Sequence, residues 1–341
     1  MEILTQLNEL KRKVDFNTYD ISVKEIISMV GEGIIDIAPE YQRQFRWKEL
    51  RQSSLIESIF LGIPVPSLFM ATNPNGSWEL IDGVQRLSSI IHFAGSEEAR
   101  DKTGLNSNLV LTGLKKLTDF NKFIFQDLPR SIQLDFLLKP LKITTLSDKS
   151  DLEVRFDLFE RLNTGGISLT NQEIRSCVYR GRFNDFLKFL TEDENFLNVV
   201  KLTASQEMDG TRDELVLKFF AFLYEYNEFE HSVTDFLNNF MSNSNREFNF
   251  TQGERIFRDT FRALRILPNG ITRNRSTTPA NLFEGVAVGA ALAIMESGQL
   301  QTENLDWILG DELKKYTTGA TNSRLKVTQR IHYCRDKFLG Q

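Results

Sequence analysis

Cysteine is nearly absent: the 341 residues hold two, Cys177 and Cys334, far apart and outside any CxxC or Cys/His cluster. That excludes a disulfide framework and a structural zinc site, and it fits a reduced, cytoplasmic setting. Histidine is equally scarce. His92, His231 and His332 are isolated from one another, so no metal-bound nuclease centre built on clustered histidines can be assembled locally. A positive surplus is missing too, since the formal net charge is −5 and the pI about 5.5. Any contact with nucleic acid must then come from a local patch rather than a global field. Long apolar runs are also lacking. The N-terminus shows no signal-like apolar region, and the longest stretch, Val286 to Met295, is too short for a bilayer and suits a tightly packed internal helix.

What is present is enough hydrophobic residue, 41%, for one large core or two, because single cores rarely grow beyond about 250 residues. Ser22 and Glu25 form a capping pair ahead of an apolar-periodic helix that Gly31 and Gly33 stop, and a strand should follow at Ile34 to Ile37. The stretch Pro39 to Trp47 has no clean period and is crowded with Arg and aromatic residues, the composition of a binding loop. An amphipathic helix is expected at Lys48 to Leu61. Strands at Ser67 to Ala71 and Ser77 to Ile81, joined by Asn73-Pro74-Asn75-Gly76, read as a hairpin. Asp82-Gly83 then breaks the second strand, and helical spacing resumes at Val84.

Residues 95–108 read as a polar loop, and a strand is expected at Leu141 to Leu146. Ser150 with Glu153, and Thr170 with Glu173, open two further helices. From there the pattern is helix after helix, at Arg212 to Tyr226, Gly253 to Ile266, Asn281 to Met295 and Ser323 to Phe338. The fold class is therefore α+β: a mixed N-terminal domain over 1–148, followed by an all-helical domain over 149–341. The 27 phenylalanines at helical spacing belong to its core rather than to a ligand box.

The sharpest chemical signal is the strand that ends in Asp82-Gly83 and turns straight into a helix. Such a junction aims backbone N–H groups at one point and suits a phosphate. Arg86 in the first turn can donate two parallel hydrogen bonds, Gln85 can orient a water or a phosphate, and Asp82 can hold a hydroxyl or a metal ion. The plain alternative is an Asp-Gly turn in which Arg86 pairs with a neighbouring carboxylate.

Two motifs together carry a resemblance. Ile81-Asp82-Gly83-Val84-Gln85-Arg86-Leu87 follows Pro39, Tyr41-Gln42-Arg43, Trp47 and Ile63-Pro64-Val65-Pro66. Downstream stands Phe159-Glu160-Arg161-Leu162-Asn163-Thr164-Gly165-Gly166, then Leu169 to Arg175. This order resembles the GmrSD N-terminal domain family, whose hallmarks are an Asp-Gly-Gln-Gln-Arg junction and a helix ending in Phe-Glu-x-Leu-Asn-x-x-Gly. The resemblance implies a ParB/sulfiredoxin-like N-terminal domain, a nucleoside triphosphate with Mg2+ as cofactor, its base left open, and a role in restriction of modified phage DNA. It implies that Asp82, Gln85 and Arg86 act on the nucleotide, and that Gln42, Arg43, Gly83, Asn163 and Gly165 help to bind it. Asn163 and Gly165 are equally well explained as a helix cap. Val84 stands where the family usually has its first Gln, a departure that bears on hydrolysis more than on binding.

Two basic patches stand apart: the loop with Arg273 and Arg275, and a final helix with Arg324, Lys326, Arg330, Arg335 and Lys337. They suit DNA phosphates, or are simply a solvated face. A faint Asp306…Glu312-Leu313-Lys314 nuclease pattern lacks the strand it needs. The expected partners are DNA, a separate nuclease and possible second copies of the chain, with no membrane. The leading expectation is a nucleotide-binding, NTP-hydrolysing regulator, and its rival is a ParB-like DNA- or protein-binding module without turnover.

Overall fold

The computed structural model describes residues 3, 15–37, 47–73, 75–105, 107–147, 152–162, 169–273, 277–319 and 321–341. The chain divides into two compact units, Met1–Ser168 and Leu169–Gln341. The expected boundary at 148/149 would have placed the helix Leu152–Leu162 in the second unit, whereas it falls in the first.

The first unit is α+β. Its described elements are β1 (Phe16–Ser22), α1 (Val23–Glu32), β2 (Ile35–Asp36), α2 (Glu49–Phe60), β3 (Leu68–Thr72), β4 (Trp78–Asp82), α3 (Val84–Ala94), α4 (Glu97–Thr103), α5 (Arg130–Leu137), β5 (Pro140–Leu146) and α6 (Leu152–Leu162). The five strands form one mixed sheet in the order β1-β5-β3-β4-β2. β1 with β5 and β3 with β4 are antiparallel, whereas β3 with β5 and β2 with β4 are parallel. Each helix buries the stripe its spacing sets: Val23, Ile26, Ile27 and Val30 on α1, and Leu55, Ile56 and Ile59 on α2. Edge-to-face contacts among Phe60, Phe93, Phe125 and Phe136 fill the space between α2, α3 and α5. Pairs of this kind contribute about 0.5–1.5 kcal/mol each beyond burial.

Two elements depart from the sequence expectations. β1 was not foreseen; its residues are mostly exposed, so no alternation marks it, and its seven-residue pairing with β5 is a tertiary fact. Residues 97–103, expected as loop, form α4, because Ser96 Oγ accepts from the Ala99 N–H at 3.3 Å and Gly104 ends the helix at φ +69°.

The second unit is helical: α7 (Asn171–Val178), α8 (Arg182–Thr191), α9 (Glu194–Val199), α10 (Thr211–Glu225), α11 (Val233–Ser244), α12 (Phe250–Leu264), α13 (Ala280–Ser297), α14 (Asp311–Thr317) and α15 (Arg324–Phe338). Thr170 and Glu173 make the expected reciprocal capping box at α7. Phenylalanines fill the core, as their spacing predicted: Phe219, Phe257 and Phe261 meet Phe196 and Phe283. Among the described residues α13 alone is long and apolar enough to cross a membrane, but Leu282 through Ala291 are buried inside this unit.

Candidate functional site

The site grows from the end of β4. Between Phe69 and Met70 the β3–β4 register shifts, Phe69 facing Asp82 and Met70 facing Leu80. Ile81 is thus the extra residue of a bulge, a device that re-aims the strand end next to it. Asp82 follows, and Gly83 turns the chain at φ +105°, ψ 15°, a left-handed conformation that glycine adopts without a Cβ penalty. α3 begins at once, and no side chain caps it. Its first-turn N–H groups therefore carry the positive end of an 11-residue helix.

Arg86 folds back over the turn and donates from Nη2 to Asp82 Oδ2 at 2.5 Å. The guanidinium side is 13% exposed and the carboxylate 38%, so the pair opens to solvent on the Asp82 side. The Arg86 stem lies against Leu55, Ile59, Val65, Pro66, Leu68, Ile90 and Leu141, around a void of about 10 Å³, room for one water at most. The described residues thus place Asp82, Gly83 and Arg86 together, and they realise the carboxylate pairing that was the plain alternative. Such a pair does not by itself distinguish a structural turn from a ligand site.

Gln85 is held from another direction. Its Oε1 accepts from the Trp47 backbone N–H at 3.1 Å, and the Arg51 guanidinium stacks 4.4 Å over the Trp47 ring. Sequence reasoning missed what stands behind Trp47: Gln52 donates to the Trp47 carbonyl at 2.7 Å and faces His92 Nδ1 at 2.8 Å. The available signal was Gln52 itself, which shares the stripe 52, 55, 56, 59 with three aliphatic residues of α2. Gln42, Arg43, Asn163, Gly165 and Arg275 lie outside the described residues.

Arg273 is described: it donates to the Thr317 carbonyl at 3.0 Å and to the Thr317 hydroxyl, and burial holds its guanidinium below the ordinary arginine range. The basic face expected on the last helix needs a correction. Arg330 on α15 is 1% exposed and pairs with Glu284 of α13, so it belongs to the core. Lys326 and Lys337 lie over the rings of Tyr316 and Tyr333, and Arg335 pairs with Asp336 at 2.6 Å. The Glu312-Leu313-Lys314 run is part of α14, with no strand. No group of three or more metal-ligating side chains occurs among the described residues.

No curated protein matches the chain. Among solved structures, a Pnob8-like ParB-N domain in its C2221 form matches at 13% identity, covering 96% of this chain and 97% of that one, with a TM-score of 0.24; a superposition that loose carries no argument. The family match is firmer. Residues 23–180 match the family described as GmrSD restriction endonuclease, N-terminal domain. That span contains the Asp82–Arg86 junction, the Phe159–Gly166 motif and α7, and over it the chain belongs to the GmrSD N-terminal domain family.

Proposed function

We propose that the Asp82–Arg86 turn binds the phosphates of a nucleoside triphosphate, and that the protein is the nucleotide-binding component of a DNA-restriction or phage-defence system. In this reading it regulates or recruits a separate nuclease that acts on DNA, modified DNA included. The observation that carries it is the pairing of Arg86 with Asp82 across Gly83 at the uncapped start of α3. An uncapped helix terminus favours an anion by about 0.3–1 kcal/mol, and a guanidinium has five donors, of which one meets Asp82. Phosphate oxygens can take others without breaking the pair.

A magnesium ion fits this site only together with the nucleotide. Asp82 offers one partly exposed carboxylate, and Mg2+ commonly takes one or two from a protein and completes its shell with phosphates and water. When bound, the ion offsets the charge of the phosphate chain. Asp82 would orient that cation, Arg86 would hold the phosphate, and Gly83 leaves the backbone open for close approach.

A second reading, a ParB-like module that binds DNA or protein without turnover, is favoured by Val84, whose apolar side chain cannot make the polar contact a glutamine makes there. A screen of the four NTPs with magnesium, with and without modified DNA, separates the two. Binding lost in Arg86→Ala together with phosphate release lost in Asp82→Ala supports the first reading. Binding without release supports the second. A chain that binds no NTP, or binds equally well as Arg86→Ala, removes the nucleotide site altogether.

A further inference from the structure

Behind the turn, polar groups form one continuous line through an apolar contact. Ser107 Oγ lies 3.2 Å from His92 Nε2, and His92 Nδ1 lies 2.8 Å from Gln52 Oε1. Gln52 Nε2 donates to the Trp47 carbonyl at 2.7 Å, and the Trp47 N–H donates to Gln85 Oε1 at 3.1 Å. Gln52 is 3% exposed and His92 8%, on helices α2 and α3 that otherwise bury Leu55, Ile56, Ile59, Ile90 and Ile91. Polar groups there are costly unless bonded, and this pair is bonded end to end.

The line has one consistent direction. Gln52 turns its nitrogen to the Trp47 carbonyl, so its oxygen faces the imidazole and Nδ1 carries the proton. Nε2 of the neutral ring then accepts from the Ser107 hydroxyl. Trp47 is gripped at its own peptide groups, the carbonyl by Gln52 and the N–H by Gln85. Rotation of the Gln85 amide would break the Trp47 bond, so its oxygen is committed and its orientation is set from the core.

We propose that Gln52 and His92 are positioning residues for the phosphate site: through Trp47 they fix the Gln85 amide so that it meets an anionic ligand as a hydrogen-bond donor, not a water as an acceptor. The inference rests on the nucleotide-binding reading of the turn and adds two residues that neither sequence motif contains.

The test is equilibrium binding of Mg-ATP, Mg-GTP, Mg-CTP and Mg-UTP to the full chain by calorimetry. Absence of binding by the parent, or parent-like binding by Arg86→Ala, overturns the phosphate site itself, whatever Gln52 does. Where binding depends on Arg86, Gln52→Leu should raise Kd about tenfold, the order expected for an outer-shell partner. That loss should disappear in the Gln85→Ala background, because the effect travels through Gln85. A general loosening of the fold would persist in that background, so additive losses overturn the proposal, as does parent-like Kd in Gln52→Leu. Gln85→Glu keeps the acceptor for Trp47 but removes the donor, and should weaken binding more than Gln85→Ala; unchanged affinity overturns the donor role. A further pair guards against poor folding of Gln52→Leu: His92→Asn, which keeps a donor, should retain affinity that His92→Leu loses, and equal affinities in the two overturn the relay.

Discussion

Leu68 Cδ2 lies 2.4 Å from the point where a Cβ on residue 83 would stand. Arg86 Nη2 is 3.1 Å from the same point. Gly83→Ala therefore meets two penalties at once, a backbone at φ +105° that an L side chain adopts at a cost of roughly 1 kcal/mol or more, and a buried leucine methyl that must move. A total loss of about 2–4 kcal/mol is expected, read as a lower urea midpoint at unchanged slope. A stable Gly83→Ala protein would show that Leu68 and the turn relax more freely than their packing implies.

Burial lowers the His92 pKa below its ordinary 6.5, with Glu49 opposing and Arg100 adding to the effect. The folded state therefore favours the neutral ring. As pH falls through 6.5, the unfolded chain takes up its proton first, so stability is full above that value and declines between it and the lower folded pKa. His332, also lowered by burial and beside the Tyr226 hydroxyl, contributes with the same sign. Urea midpoints should stay level from about pH 7 to 8 and fall below about pH 6.5, and His92→Asn should make that fall shallower. A slope unaffected by the substitution would exclude His92 as a contributor.

In the second unit Lys218 Nζ lies 3.1 Å from Glu214 Oε1 and 3.4 Å from Glu284 Oε1, while Arg330 takes the other Glu284 oxygen. Burial alone would lower the Lys218 ammonium, yet Glu284 and Glu214 beside it raise it above its ordinary value. Glu284→Leu leaves two buried cations short of a partner and should cost about 3–5 kcal/mol, the range for breaking a buried pair. Adding Arg330→Met should recover part of that loss in thermal unfolding. Failure of the double variant to recover any would mean that the helices need the charges themselves.

The elements legible in the sequence are those whose local chemistry agrees with their place in the fold. The hairpin, the uncapped α3 and the Thr170–Glu173 box follow from turn and capping residues that act within four positions. β1 was not legible, because a strand with few buried residues is defined by β5, far along the chain. At the site, Asp82, Gly83 and Arg86 stand where the motif places them, since all three lie within one turn. Trp47, Gln52 and His92 required knowing that α2 packs on α3. Arg330 misled for the converse reason: it reads as one of five basic residues on a helix, and only its partner Glu284, on another helix, makes it core.

The close approach of α13 to α15 turns on glycines, and their geometry separates two substitutions that look alike. A Cβ at residue 289 would fall 2.6 Å from Cys334 Cβ and 2.8 Å from the Arg335 backbone nitrogen. At residue 285 the nearest atoms are the Arg330 carbonyl oxygen at 3.3 Å and the Arg330 Cβ at 3.4 Å. In a helix, alanine is favoured over glycine by about 1 kcal/mol, so the sign depends on whether the neighbour can yield. Backbone cannot, and Gly289→Ala should lower stability by about 1–3 kcal/mol despite the propensity gain. Gly285→Ala should come out near neutral, because a few tenths of an ångström suffice there. Urea unfolding of the two variants side by side decides the matter: equal effects at both positions would mean that side chains, rather than the helix backbones, set the spacing of α13 and α15.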